Sequence, residues 1–153
     1  LESTQKFYND SQGISAVELK EFSLLYLLLN NLSLFQSNIH LVENIKLFTE
    51  INKQIFNSVI YHLKSSEQID IENLNLDEQL IDKINKFAPI KYILKNKPKN
   101  DNQVIELLDD ISKDLFNHDL ELRIQELESK FSEDLSETTF NELKELKNER
   151  KTN

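Results

Sequence analysis

The sequence predicts an all-α fold in which a multi-helix bundle is joined through a long helix to a C-terminal helical hairpin. Its 153 residues include a single Gly and only two Pro, so the turn residues that a β-rich fold needs are scarce. With 39% hydrophobic and 29% charged residues, the chain can build a core and solvate the outer faces of its helices. Apolar residues recur every three or four positions along most of the chain, which is the period of an α-helix.

The first helix is predicted to run from about residue 16 to about Asn30, after a polar segment of residues 1–13. Ser15 and Glu18 have the spacing of a capping box, and Ile14 and Leu19 that of a hydrophobic staple. The stretch "FSLLYLLL" at 22–29 is apolar almost all round, which is typical of the central helix of a bundle. It is far shorter than the roughly 20 apolar residues that span a bilayer, so no membrane segment is expected.

The rest of the bundle, which extends to residue 115, is predicted from alternating helical and irregular segments. They are short helical pieces over 32–45, a helix from Thr49, a loop over 65–75, a helix over 76–87, a helix start at Pro89 and a break over 95–101. The helix from Thr49 has two apolar stripes and is predicted to pack on two sides. One stripe comprises Ile51, Ile55, Val59 and Leu63, and the other Phe56 and Ile60.

A long helix is predicted from about Asn102 to Phe131, and its apolar positions change sides near residue 115. Because each residue turns the helix by 100°, the two sets lie roughly 140° apart. The first set is Val104, Leu108, Ile111 and Leu115, and the second is Phe116, Leu120, Ile124, Leu127 and Phe131. One helix is therefore expected to serve two bodies, its first half closing the bundle and its second half pairing with the helix that follows.

That following helix is predicted to complete a hairpin over residues 116–150. Ser136 is expected to cap it, with Leu135 and Phe140 as a staple. Its apolar edge is narrow, consisting of Phe140, Leu143 and Leu146. About eight large side chains barely offset the ordering of about 35 residues, so the hairpin is expected to exist for contact with another molecule. Leu122 lies off the hairpin stripe and fits that interpretation.

Charge and composition exclude several functions. The net charge is −9, and residues 101–153 carry 15 acids against 7 bases, or −8, so this part of the chain repels phosphate. The absence of Cys excludes disulfides, thiol catalysis and zinc held by thiolates. No catalytic grouping or Gly-rich phosphate loop is present, so neither enzymatic activity nor a cofactor is expected. Because the chain also lacks Met, we expect it to be a fragment of a longer protein.

Three other functions each have a simpler explanation in the sequence. A metal could use His118 with Asp114 or Glu121, but such pairs are common on solvated helices, and no metal is expected. A coiled-coil homodimer needs three to four heptads, whereas the long helix offers two. The segment "KYILKNKPKN" could bind nucleic acid, but a solvated loop accounts for it, and direct nucleic-acid binding is not expected. Its candidate residues are Lys91, Tyr92, Lys95, Lys97 and Lys99.

Over residues 14–150 the chain resembles the C-terminal helicase-binding domain of the bacterial replicative DNA primase of the DnaG type. The most specific part is "LFNHDLELRIQELESKF" with "LSETTFNELKEL", which is similar to the terminal hairpin of that family. The stretch "ELKEFSLLYLLLNNLSLF" is similar to the first helix of the domain, a pattern shared with the N-terminal domain of the replicative helicase. The chain departs from the family at Asn31 and Leu32, where Pro is common.

The resemblance implies a non-catalytic domain that docks primase on the N-terminal domains of the hexameric replicative helicase, in the bacterial cytoplasm at the replication fork. The zinc ribbon and catalytic core of the family are absent from this chain. We expect the contact to be made by residues of the hairpin, with Leu122 and Arg123 at its centre. The full set is Leu120, Leu122, Arg123, Glu126, Leu127, Phe140, Leu143, Lys144 and Lys147. The alternative is a general all-α protein-interaction module, with self-association as one form of it.

Overall fold

The computed structural model describes residues 13–65, 68–88, 100–133 and 135–150, and these ranges contain six α-helices and no strand. The predicted all-α fold class is therefore confirmed. The helices are α1 (Ala16–Leu29), α2 (Leu32–Ser37), α3 (Glu50–Leu63), α4 (Glu78–Phe87), α5 (Asp101–Glu133) and α6 (Glu137–Asn148). Two short 3-10 turns, Ile39–Leu41 and Glu72–Leu74, lie between them.

Helix α1 is the centre of the bundle and packs against α2, α3, α4 and α5. Nearly every residue from Phe22 to Leu29 is buried, as expected for a helix that is apolar almost all round. Its start is fixed by Ser15, whose Oγ accepts a hydrogen bond from the backbone N–H of Glu18 at 3.2 Å. The predicted central helix and its cap are confirmed.

Helix α3 buries a different first-turn residue from the one predicted. Ile51 is 53% exposed, although the sequence places it on a packing stripe. Asn52 is buried instead, because at 100° per residue it lies near the centre of the face formed by the buried residues of α3, whereas Ile51 lies roughly 100° from that centre, at the edge of the face. The remainder of both stripes is buried as predicted, namely Ile55, Phe56, Val59, Ile60 and Leu63.

The N-terminus of α3 is capped by a side chain from α1. Thr49 occupies the N-cap position but forms no side-chain cap of its own. The buried carboxylate of Glu21 accepts hydrogen bonds from the backbone N–H of Phe48, from the backbone N–H of Thr49 at 3.2 Å and from Asn52 Nδ2 at 3.1 Å. A negative charge at a helix N-terminus is favourable, so Glu21 ties α1 to the segment that leads into α3.

The region between α3 and α5 is described in part. Within the predicted loop, Asn75 has a left-handed backbone (φ 51°) after the second 3-10 turn. Asp77 Oδ1 caps α4 by accepting from the backbone N–H of Gln79 at 2.8 Å, and Ile84 buries α4 against the bundle. The helix start predicted at Pro89 and the break predicted over 95–101, up to its last two residues, lie outside the described residues.

Helix α5 is continuous over 33 residues, and its two apolar stripes enter two separate clusters. Val104, Leu108 and Leu115 are buried in the bundle core, with Ile111 packed against it. Leu120 and Ile124 are buried in a second, smaller core. The reversal of the stripe near residue 115 is thus confirmed, while the division of the chain into a 14–115 bundle and a 116–150 hairpin stays a prediction.

Candidate partner-binding hairpin

The second half of α5 pairs with α6 around a small apolar core. Its buried members are Leu120, Ile124, Leu143 and Leu146, and the partly buried members packed on them are Phe116, Leu127 and Phe131. Ser136 caps α6, since its Oγ accepts from the backbone N–H of Thr139 at 3.2 Å. The predicted capping residue is confirmed, and the core that holds the two helices together is as narrow as the sequence indicates.

One side of the hairpin is closed by ion pairs between its two helices. Lys147 Nζ lies 3.0 Å from Glu128 Oε1, and Arg150 Nη2 lies 2.7 Å from Glu121 Oε1. Glu121 and Glu128 are seven residues apart on α5 and therefore lie on the same face of that helix. The two acids and two bases balance on this side, so it presents little net charge.

The opposite side of the hairpin is an open groove of about 370 Å³. Leu127 and Leu146 contribute its apolar lining, and Arg123 contributes a positive charge. The other residues that line it are charged, namely Glu126, Lys130, Glu142, Glu145 and Glu149. In the described part of the chain, both ion pairs that join α5 to α6 lie on the other side, so the groove keeps an excess of negative charge.

Three large apolar side chains of the hairpin are exposed to solvent. Leu122 on α5 is 40% exposed, in agreement with its position off the stripe. Leu135 and Phe140 at the turn are 76% and 52% exposed. The predicted staple between these two is not a buried contact, because the ring of Phe140 lies next to that of Phe131 instead, with centroids 5.9 Å apart.

The structure divides the nine predicted contact residues into two groups. Leu120 and Leu143 are buried in the hairpin core and Leu127 is half-buried, so these three hold the hairpin together. The other six have exposed side chains, although Lys147 is engaged with Glu128. The exposed residues are Leu122, Arg123, Glu126, Phe140, Lys144 and Lys147. Sequence analysis missed Leu135 as a surface residue, since its spacing from Phe140 indicated a staple.

The base of the hairpin contacts the segment of the bundle that precedes α3. The ring of His118 meets that of Phe48 edge-on at 4.9 Å, and Lys46 Nζ lies 3.7 Å from Asp119 Oδ1. A cleft of about 380 Å³ opens beside these contacts and is lined in part by Ile45 and Phe116. Since Glu21 holds the backbone of Phe48, the cap of α3 also supports the contact with the hairpin.

Neither a metal site nor a membrane helix is found in the described ranges. No group of three or more acidic or His side chains there could hold a metal ion. None of the helices in these ranges has both the length and the apolarity needed to cross a membrane. The basic segment at 91–99 lies outside the described residues.

On α5, a hydrogen bond from Lys113 to Asp109 at 2.9 Å raises the pKa of that lysine.

Comparisons with known proteins add no identification. No protein-family model matches the chain, and neither the curated proteins nor the solved structures contain a significant match.

Proposed function

We propose that this chain is a non-catalytic adaptor that binds another protein through its C-terminal hairpin. The observation that carries the proposal is the continuity of α5, which leaves the bundle core after Leu115 and enters a second core in which only four of the described residues are buried. A hairpin with so little buried apolar surface stabilises the chain very little, and its outer surface retains exposed apolar side chains.

We further propose that the partner is the N-terminal region of a bacterial hexameric replicative helicase, and that the parent protein is a DNA primase. The resemblance of residues 115–131 and 135–146 to the terminal hairpin of the primase family supports this choice. The acidic charge of the C-terminal third also favours a protein partner over nucleic acid, because phosphate would be repelled.

The test is to mix the purified chain with the N-terminal domains of the replicative helicase from the same organism. Size-exclusion chromatography with light scattering should show a complex, while a chain ending at residue 115 should show none. Absence of a complex with the complete chain at tens of micromolar would refute the helicase as partner. A homodimer of the chain alone would favour the second candidate, a self-associating interaction module, which the exposed Leu135 and Phe140 also make possible.

A further inference from the structure

The exposed apolar surface of the hairpin is concentrated at its tip. The apolar tip consists of Leu135, which is 76% exposed, Phe140, which is 52% exposed, and the half-buried Phe131. The rings of Phe131 and Phe140 are tilted by 42° with centroids 5.9 Å apart, so these two residues form a small apolar surface, and Leu135 lies between them in the sequence, at the turn that leads into α6. Exposed apolar groups that cluster in this way mark sites of interaction.

Hydrogen bonds hold the part of the tip that follows Leu135. Leu135 directly precedes Ser136, whose hydroxyl donates to Thr139 Oγ1 at 2.8 Å and whose oxygen caps the first turn of α6. The backbone that follows Leu135 is therefore fixed before any partner binds. Such preorganisation lowers the entropy that association would otherwise cost.

The charges around the tip indicate which kind of surface it can bind. Glu133 and Glu137 lie two residues on either side of Leu135, and both are exposed, with no ion pair to a described residue. A second copy of this chain would oppose these carboxylates to identical ones, and phosphate would be repelled in the same way. The surroundings of the tip thus fit a protein pocket that is apolar inside and has Lys or Arg at its rim.

The hairpin is also long enough for its tip to enter a pocket. Near the base of the hairpin, Asp119 of α5 pairs with Lys46 of the bundle. The 14 residues that follow Asp119, up to Glu133, extend roughly 21 Å at 1.5 Å per residue. A partner can therefore surround the tip without meeting the bundle.

We infer that Leu135 and Phe140 are the anchor of the hairpin, and that they insert into an apolar pocket with a basic rim on the helicase N-terminal domain. The inference rests on the proposed helicase-docking function and adds the residues and the chemistry of the contact. It places the anchor at the tip, not at Leu122 and Arg123, where the sequence puts the centre.

The experiment compares two double variants of the full chain in titrations against the helicase N-terminal domain. The tip variant is Leu135→Ser with Phe140→Ser. The bundle offers a matched control in Tyr61→Ser with Ile51→Ser, because these side chains are 75% and 53% exposed and so resemble the tip pair. We expect the tip variant to raise the Kd by on the order of tenfold or more, as for truncated anchor residues, and the control to change it less than about twofold.

A third variant, Glu133→Lys, keeps the apolar tip and tests the charge. A lysine in the last turn of α5 is favourable for the helix, so the hairpin should stay folded while association with a basic rim slows severalfold. Circular dichroism checks that all variants keep their helicity. If the wild-type chain binds and the tip and Glu133 variants bind equally well, the anchor is elsewhere and only this inference fails. If the wild-type chain does not bind the helicase, the proposed function fails and the inference falls with it.

Discussion

Removal of the Glu21 carboxylate should destabilise the bundle by a large fraction of its total stability. The carboxylate is fully buried and accepts three hydrogen bonds, from Phe48, Thr49 and Asn52. In Glu21→Leu the buried volume is largely kept, but these three donors lose their acceptor. Each unsatisfied buried donor costs about 1–3 kcal/mol, but the amides of Phe48 and Thr49 are only part-buried, so we expect a loss of about 3–6 kcal/mol, below the roughly 9 kcal/mol that three fully buried donors would cost. Domains of this size are stable by about 5–15 kcal/mol, which makes the loss severe.

The assay is thermal and urea unfolding of the full chain followed by circular dichroism. At about 3–4 °C per kcal/mol, the expected loss lowers the Tm by roughly 10–20 °C. Glu21→Gln should lose less, because its one carbonyl oxygen can still accept a hydrogen bond. The control is Glu106→Gln, an exposed glutamate on α5, whose unfolding should match that of the wild type.

Hydrogen exchange adds a local readout to this prediction. The backbone amides of Phe48 and Thr49 donate to Glu21 and should exchange faster in Glu21→Leu, whereas amides within α6 should keep their rates. A Glu21→Leu chain that melts with the Glu106→Gln control and protects these two amides as before would show that the carboxylate does not cap α3, and the reasoning above would be wrong.

Three further predictions concern the hairpin and its partner. The pair Leu122→Ala and Arg123→Ala should weaken helicase binding severalfold without loss of helicity, and titrations in which this variant matches the wild type would count against any contact on the outer face of α5. A chain ending at residue 115 should still unfold cooperatively, whereas the isolated 116–150 fragment should not. A sharp thermal transition of that fragment at low concentration would mean that its core stabilises it more than we expect. Raising the salt concentration should slow association with the helicase more than it speeds dissociation, and stopped-flow or surface-resonance kinetics can measure both rates. An association rate that does not depend on salt would show that the acidic surface of the hairpin does not face a basic surface.

Local signals predicted much of the fold because they depend on residues close together in the sequence. The stripes of α5 follow from the 100° turn per residue. Ser15 and Ser136 predict the starts of two helices because each caps an amide only three residues later in the sequence. The two cores of α5 could be predicted for the same reason, since Leu115 and Leu120 lie on different faces of one helix.

Contacts between distant segments could not be predicted. Glu21 stands 27 residues before Phe48, and no pattern in the sequence indicates that a charged residue of an apolar helix caps another helix. Asn52 donates a hydrogen bond to that same carboxylate across 31 residues, a contact that likewise has no local signal. Leu135 and Phe140 have the spacing of a staple, and only the position of Phe131 shows that Phe140 packs elsewhere. The spacing of these two residues therefore predicted a staple, whereas the structure has an exposed apolar tip.

Because α5 is continuous, the number of residues between the two cores determines the direction in which the hairpin points. An insertion of one residue after Leu115 would swing α6 and the tip by 100° around the helix axis, while α1 would keep its hold on the first half. A seven-residue insertion completes nearly two turns, so the tip would face almost the same way and stand roughly 10 Å farther out. Insertions of seven residues at a time would therefore lengthen the hairpin while its tip kept nearly the same direction around the helix axis.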